Sequence, residues 1–260
     1  MELLVTGCHG GESPIHKPTG FVLDGVLAID AGSLTSGLDL AAQYELRAAV
    51  ISHPHLDHVR DLATIVDNRI QKGCPPLVIA ATKPTIATLR KHFFNDKLWP
   101  DFTRIPSPDA PTITFQVLPL RRPTIVAGYE VRAIPVTHTI EATALFVRGR
   151  DGTLVYSGDT GPTDELWAVT KATTDVRGIV VETSFPNREQ RLATLSGHHT
   201  PHTLQTDLAK LGQGQRPPTF VFHMKPRFEE EIRAEIQAQQ QAHGAVEIMR
   251  LGRRIQLLAR

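Results

Sequence analysis

The chain opens on three short apolar runs, ELLVTG, FVLDG and VLAIDAG, set apart by glycine-containing turns, which predicts successive β-strands. TSGLDLAAQYEL predicts a first helix leading into a strand, RAAVISH. In DHVRDLATIV the apolar positions Val59, Leu62, Ile65 and Val66 fall on one helical face, so a helix is predicted to begin near Asp57. LVIAA predicts a strand and KPTIATLRKHFF a helix with Pro84 in its first turn. Residues 105–123 are proline-rich and mark the middle of the chain, and strand-type runs follow at 130–137, 142–148 and 153–157. Two later helices carry both of their boundaries. TPHTLQTDLAKLG has Thr200 as N-cap, Pro201 after it and Gly212 past its end; PRFEEEIRAEIQAQQQAHG has Pro226, early glutamates and Gly244 in matching places.

Each half thus runs from strands to helices. Two sheets packed face to face with helices outside satisfy this order, and periodicity alone leaves a single mixed sheet equally open. A chain of 260 residues, 41% hydrophobic and 21% charged, is expected to form one domain over 1–260. The formal net charge of +1 supplies no global field for nucleic acid or an anionic membrane. The arginines at 250, 253, 254 and 260 are read as a solvated strand end. Two cysteines, Cys8 and Cys74, make no disulfide framework and suit a reducing compartment. No apolar run approaches the roughly 20 residues that span a bilayer, and MELLVTGCHGGESP lacks a basic start and a long apolar core. A cytoplasmic location is therefore expected.

The chemistry concentrates in VISHPHLDHVRDL, where His53, His55, Asp57 and His58 fall within six residues after an apolar run. In an extended segment His53 and His55 project to the same side. Asp57 and His58 sit where a helix begins and its exposed N–H groups favour a carboxylate. One pair can hold one metal ion and the other pair a second beside it. Further donors stand at the ends of strand-type runs: His138 in AIPVTHTIEA, Asp159 in TLVYSGDTGP and His223 in TFVFHMKP. Five histidines and two aspartates make a nitrogen-and-oxygen set that Zn²⁺ accepts readily, with Mn²⁺ or Fe also tolerated.

The string HPHLDH followed by His138, Asp159 and His223 resembles the metallo-β-lactamase superfamily over nearly the whole chain. That resemblance implies an αββα sandwich of the α/β (α+β) class with the site at one edge of two sheets. It implies that His53, His55 and His138 hold a first metal, that Asp57, His58 and His223 hold a second, and that Asp159 bridges them. AIDAGS, SHPHLDH, YSGDTGP, ETSFPN, LSGHHTP and FHMKP stand in the order found in class II 3′,5′-cyclic-nucleotide phosphodiesterases, and ETSFPN with SGHHTP discriminates most. The same pair is similar to segments of tRNA 3′-processing endonucleases. Two positions depart from the phosphodiesterase pattern: Asp61, where glycine is usual, and His199, where a bulky apolar residue is commoner.

The implied activity is hydrolysis of a 3′,5′-cyclic nucleotide, cAMP first, to the 5′-monophosphate through a hydroxide bridging two divalent ions. His198 is assigned as the acid that protonates the leaving ribose oxygen, Glu182 as the group that orients it, and Asp57 as a further aid to the nucleophile. Asp30 is read as a brace behind the ligand loops. His199 and His202 are read as spectators, and His9 and His16 as solvated turn residues. The alternatives are a tRNA 3′-processing-like ribonuclease, which the +1 charge and the lack of a long basic arm disfavour, and a hydrolase of a lactone, thioester or sulfate ester. The expected partner is a small-molecule cyclic nucleotide rather than nucleic acid or membrane, and a homodimer is compatible with an enzyme of this size.

Overall fold

A computed structural model describes residues 1–212, 216–243 and 246–258, so Gly244 and Arg260 lie outside the described residues. The first half contains β1 (Glu2–Gly7), β2 (Gly20–Leu23), β3 (Leu27–Ala31), α1 (Leu34–Gly37), α2 (Leu40–Glu45) and β4 (Ala48–Val50). It continues with α3 (Leu56–Val59), α4 (Leu62–Lys72), β5 (Leu77–Ala81), α5 (Lys83–His92), the small pair β6 (Pro106–Ser107) and β7 (Ala110–Pro111), and β8 (Ile113–Val117). The second half contains β9 (Pro123–Val126), β10 (Tyr129–Pro135), β11 (Thr143–Gly149), β12 (Gly152–Tyr156), α6 (Glu165–Ala172) and β13 (Val176–Glu182). After these come α7 (Gln190–Ser196), α8 (Pro201–Ala209), β14 (Thr219–Phe222), α9 (Glu229–His243), β15 (Glu247–Ile248) and β16 (Arg254–Gln256).

The strands form two seven-stranded sheets, in the orders β16-β1-β2-β3-β4-β5-β8 and β15-β14-β13-β12-β11-β10-β9. Each sheet is antiparallel on one side and parallel on the other. In the first the change falls at β3, which pairs antiparallel with β2 and parallel with β4; in the second it falls at β12, between β11 and β13. The inner faces meet in one apolar cluster that includes Leu3, Phe21, Ile29, Leu145, Tyr156 and Phe222. Phe21, Tyr156 and Phe222 pack there edge-to-face or tilted, with ring centroids 5.3–5.7 Å apart. Fully burying each such aromatic side chain contributes about 1.5–3 kcal/mol. A second cluster sits between the first sheet and α4 and α5, and a third between the second sheet and α6, α8 and α9. Two sheets back to back with helices outside are therefore the observed layers, and the single mixed sheet is excluded.

Two predicted helices come in pieces. TSGLDLAAQYEL breaks at Leu38, which is extended (φ −124°, ψ 132°), and Asp39 restarts the chain by accepting the Ala42 N–H at 2.8 Å. The helix expected from Asp57 divides into α3 and α4 because the Asp61 N–H donates to Ala31 O (2.8 Å) instead of continuing the helical ladder. The proline-rich middle contributes β8, a full strand of the first sheet. Thr200 caps α8 in a reciprocal pairing with Thr203, as its position predicts. The elements α6, α7 and β13 were not anticipated, since VRGIVVE lacks strong alternation and lies buried in the parallel half of its sheet. The exposed Arg254 side chain stands on β16, which pairs with β1.

Candidate metal centre

Every distant donor follows the carboxyl end of a strand by one to three residues: His53 after β4, His138 after β10, Asp159 after β12 and His223 after β14. Glu182 is itself the last residue of β13. Because β12, β13 and β14 run parallel, their carboxyl ends share one edge. The opposing sheet contributes the turn after β3 and the 53–58 segment. Gly32 permits this closeness, since a Cβ there would stand 1.9 Å from the Asp57 carbonyl oxygen.

All seven candidate donors converge. His53 Nε2 lies 3.1 Å from His55 Nδ1, which lies 3.3 Å from His138 Nε2. His58 Nε2 lies 3.4 Å from His223 Nε2, and Asp57 Oδ2 also lies 3.4 Å from His223 Nε2. Asp159 stands between the two groups, 3.7 Å from His53 and 3.3 Å from both His58 and His223. Zinc bonds of about 2.0–2.1 Å in a tetrahedron place neighbouring ligand atoms roughly 3.3 Å apart.

Hydrogen-bond partners behind the rings determine which nitrogens face inward. Asp30, fully buried, accepts His58 Nδ1–H (2.7 Å), the Ser52 N–H and hydroxyl (2.8 and 2.7 Å) and the Tyr156 hydroxyl (2.5 Å). Gly197 O accepts from His138 Nδ1 at 3.0 Å, Ser52 Oγ stands 3.0 Å from His53 Nδ1, and Ser184 Oγ stands 2.9 Å from His223 Nδ1. Each of these four imidazoles thereby turns its Nε2 to its neighbours, and in the neutral ring that nitrogen is bare. Lone pairs aimed at one another at these distances repel unless a cation lies among them. Asp159 Oδ1 is likewise buried without a hydrogen-bond partner. The donor set therefore fits a pair of divalent ions.

Electrostatics agree with close packing of charge. Burial drives His53 well below the ordinary imidazole range, and the neighbouring His58 adds to this. Burial also lowers His55 and His138. Desolvation opposes ionisation of Asp159 and Asp57. Without an ion, the surrounding imidazoles in their charged form outweigh it, His223 foremost, and hold both carboxyls below their usual values. Burial opposes a charged His58, yet Asp159 and Asp30 push it well above the imidazole range.

Behind the donors, His198 Nδ1 lies 2.6 Å from Glu182 Oε1, and Glu182 is fully buried. Burial would lower the imidazole, yet the Glu182 charge and hydrogen bond raise it above its ordinary value. Glu182 also accepts the Thr160 N–H (3.0 Å) and the Ser184 hydroxyl (3.0 Å), so it is no surface ion pair. The His198 ring stacks on His223 with centroids 5.4 Å apart. Ser184, within ETSFPN, carries no sequence signal of its own for a role here. Its Oγ touches Glu182, His198 and His223 together.

Other readings change. His9 is buried and His16 half-buried; both turn toward Glu229, not solvent, and stand apart from the seven donors. His199 is buried with Nε2 3.6 Å from Asp207, and His202 is exposed. Asp61 accepts the Thr35 N–H (2.7 Å) and hydroxyl (2.6 Å), so the carboxylate in the usual glycine position ties α1 to the donor segment.

Fold and donor geometry together define a metallohydrolase scaffold of the two-sheet type. Residues 39–224 match the β-lactamase superfamily domain, and the chain belongs to that family. It is 29% identical to a probable 3′,5′-cyclic-nucleotide phosphodiesterase of Yersinia pestis, over 88% of this chain and 80% of that one. The fold is similar to unliganded yeast PDE1 (TM-score 0.82, 19% identity, 97% and 98% of the two chains). It is also similar to the short form of human tRNase Z (TM-score 0.71, 16% identity, 99% of each chain).

Proposed function

We propose that the chain is a dinuclear metal-dependent phosphodiesterase that opens a 3′,5′-cyclic nucleotide, cAMP first, to the 5′-monophosphate. The observation that carries this reading is the Glu182–His198 pair placed 2.6 Å apart immediately behind the convergent donors. A bare metal-binding protein has no need of such a pair. The relatives named as cyclic-nucleotide phosphodiesterases support the substrate class.

His53, His55 and His138 would hold one ion, Asp57, His58 and His223 the other, with Asp159 between them. When bound, zinc ions would supply an acidified water and neutralise the charge of the phosphate. The rest belongs to the protein's own groups. His198, kept protonated by Glu182, delivers a proton to the departing ribose O3′. Ser184 couples that pair to His223 through one hydroxyl, so the acid and the second-ion ligand hold a common position. Asp57, with its side chain 31% exposed, reaches the open side of the centre, where a hydrogen bond to the attacking oxygen is available. Leu56, Ile140 and Leu195 are exposed within three residues of candidate site residues and offer apolar surface to a base. The two unpaired thiols, Cys8 and Cys74, are consistent with a reducing, cytoplasmic setting.

The test is a panel of zinc-loaded protein against cAMP, cGMP, bis(p-nitrophenyl) phosphate, a lactone and precursor tRNA. Turnover of a cyclic nucleotide far above the others is expected. A preference for the lactone or the tRNA would replace the reading.

A further inference from the structure

Outside the centre just described, the described residues contain one more set of metal-type donors. His9 and His16, from the segment between β1 and β2, meet Glu229 at the start of α9. His16 Nε2 lies 2.9 Å and His9 Nε2 3.9 Å from the same oxygen, Glu229 Oε2. The two rings cross edge to face with centroids 4.8 Å apart. Each ring is held from behind by its Nδ1: the Lys17 backbone engages His9 (3.1 and 3.3 Å), and the Ser13 hydroxyl engages His16 (2.5 Å). Both Nε2 atoms therefore face the carboxylate. Arg233 takes the other oxygen, Oε1, and leaves Oε2 to the imidazoles.

The geometry points to a third cation site, built by His9, His16 and Glu229, that takes a zinc-class divalent ion. Two imidazoles and one carboxylate are the donor types zinc prefers, and three protein donors leave one position to solvent. Separations of 2.9 and 3.9 Å straddle the roughly 3.3 Å edge of a zinc tetrahedron, so small side-chain adjustments suffice. The guanidinium on Oε1 repels an incoming cation, which makes this the weaker site beside the buried pair.

The location gives the ion a consequence. The His223 N–H donates to Cys8 O (2.7 Å) and the Gly10 N–H to Met224 O (3.1 Å), so the 8–10 segment lies directly along the His223 backbone. A Cβ at Gly10 would meet His223 O at 2.5 Å and its Nδ1 at 2.8 Å. An ion joining His9 and His16 to Glu229 would fasten this segment, which runs along the His223 backbone, to α9.

The experiment uses the full chain, stripped with chelator, reloaded with zinc alone, passed over a desalting column and analysed for metal. Wild type is expected to retain about three zinc equivalents, and His16→Gln and Glu229→Gln about two each. Imidazole resonances of His9 and His16 in the otherwise unaltered protein should shift on addition of the last equivalent. Equal zinc content in wild type and both variants, or histidine resonances that ignore zinc, would overturn the site. A single wild-type equivalent lost in both variants would keep this site while removing the dinuclear reading. Two equivalents retained everywhere would do the reverse.

Discussion

Replacing Glu182 with glutamine separates the proposed acid role of His198 from the rest of the centre. The amide has the shape of the carboxylate, and its oxygen can still accept the Thr160 N–H and His198 Nδ1–H that Oε1 accepts now at 3.0 and 2.6 Å. What disappears is the charge, together with the Oε2 acceptor of the Ser184 hydroxyl (3.0 Å), where the amide NH₂ now stands. A hydrogen bond to a charged group contributes about 1.5–3 kcal/mol against roughly 0.5–1.5 for a neutral one, so about 1–2 kcal/mol of support for imidazolium is removed. At 1.36 kcal/mol per tenfold, that corresponds to a loss of about five- to thirtyfold in the step that needs the proton. Ribose O3′ is a poor leaving group and should feel all of it, whereas p-nitrophenolate needs no proton and should feel little. The pH profile gives an independent sign. Glu182 raises the His198 value, the acid form exists below that value, and the cyclic-nucleotide rate therefore falls as pH rises through it. In Glu182→Gln the falling limb moves to lower pH. Steady-state kcat on cAMP and on bis(p-nitrophenyl) phosphate across pH 5–10 reads both effects. Equal losses on the two substrates with an unmoved alkaline limb would refute the assignment.

Asp159→Asn weakens the donor shared by both groups and should lower retained zinc by at least one equivalent, measured by metal analysis after desalting; unchanged metal content would contradict the bridging role. Asp61→Ala leaves the half-buried Thr35 N–H and hydroxyl without their acceptor, at a cost of about 0.5–1.5 kcal/mol for each lost bond, and the melting midpoint should fall by about 2–4 °C for each kcal/mol. Cys8 is buried and its thiol is pushed up to about 12, first by desolvation and then by Glu229. It stays protonated at pH 8, so DTNB should find about one thiol in the native protein and two after denaturation; two fast native thiols would show that the β1 end opens. Gly10→Ala forces a methyl against the His223 carbonyl, and overpacking of this kind costs about 1–3 kcal/mol. Both cAMP turnover and zinc retention should drop, and a variant with wild-type values for both would show the 8–10 segment to be slack.

The sequence alone determined the parts of this protein whose information is local. His53, His55, Asp57 and His58 were legible because a six-residue string carries its own spacing, and Thr200 because a cap is decided by its next three residues. His138, Asp159 and His223 stood out at strand ends, but their grouping into ligand sets and the layered fold came through resemblance, since strand-then-helix order by itself allowed one sheet or two. Tertiary structure decided the rest. It divided the helix after Asp57, because the Asp61 N–H finds Ala31 O, thirty positions earlier in the chain. It placed Ser184 against Glu182, His198 and His223, and it turned His9 and His16 from presumed solvent toward Glu229, more than 200 residues away. Hydrogen bonds and ion contacts form between whatever groups the packed sheets bring within about 3 Å, and periodicity within one segment holds no record of a partner on another.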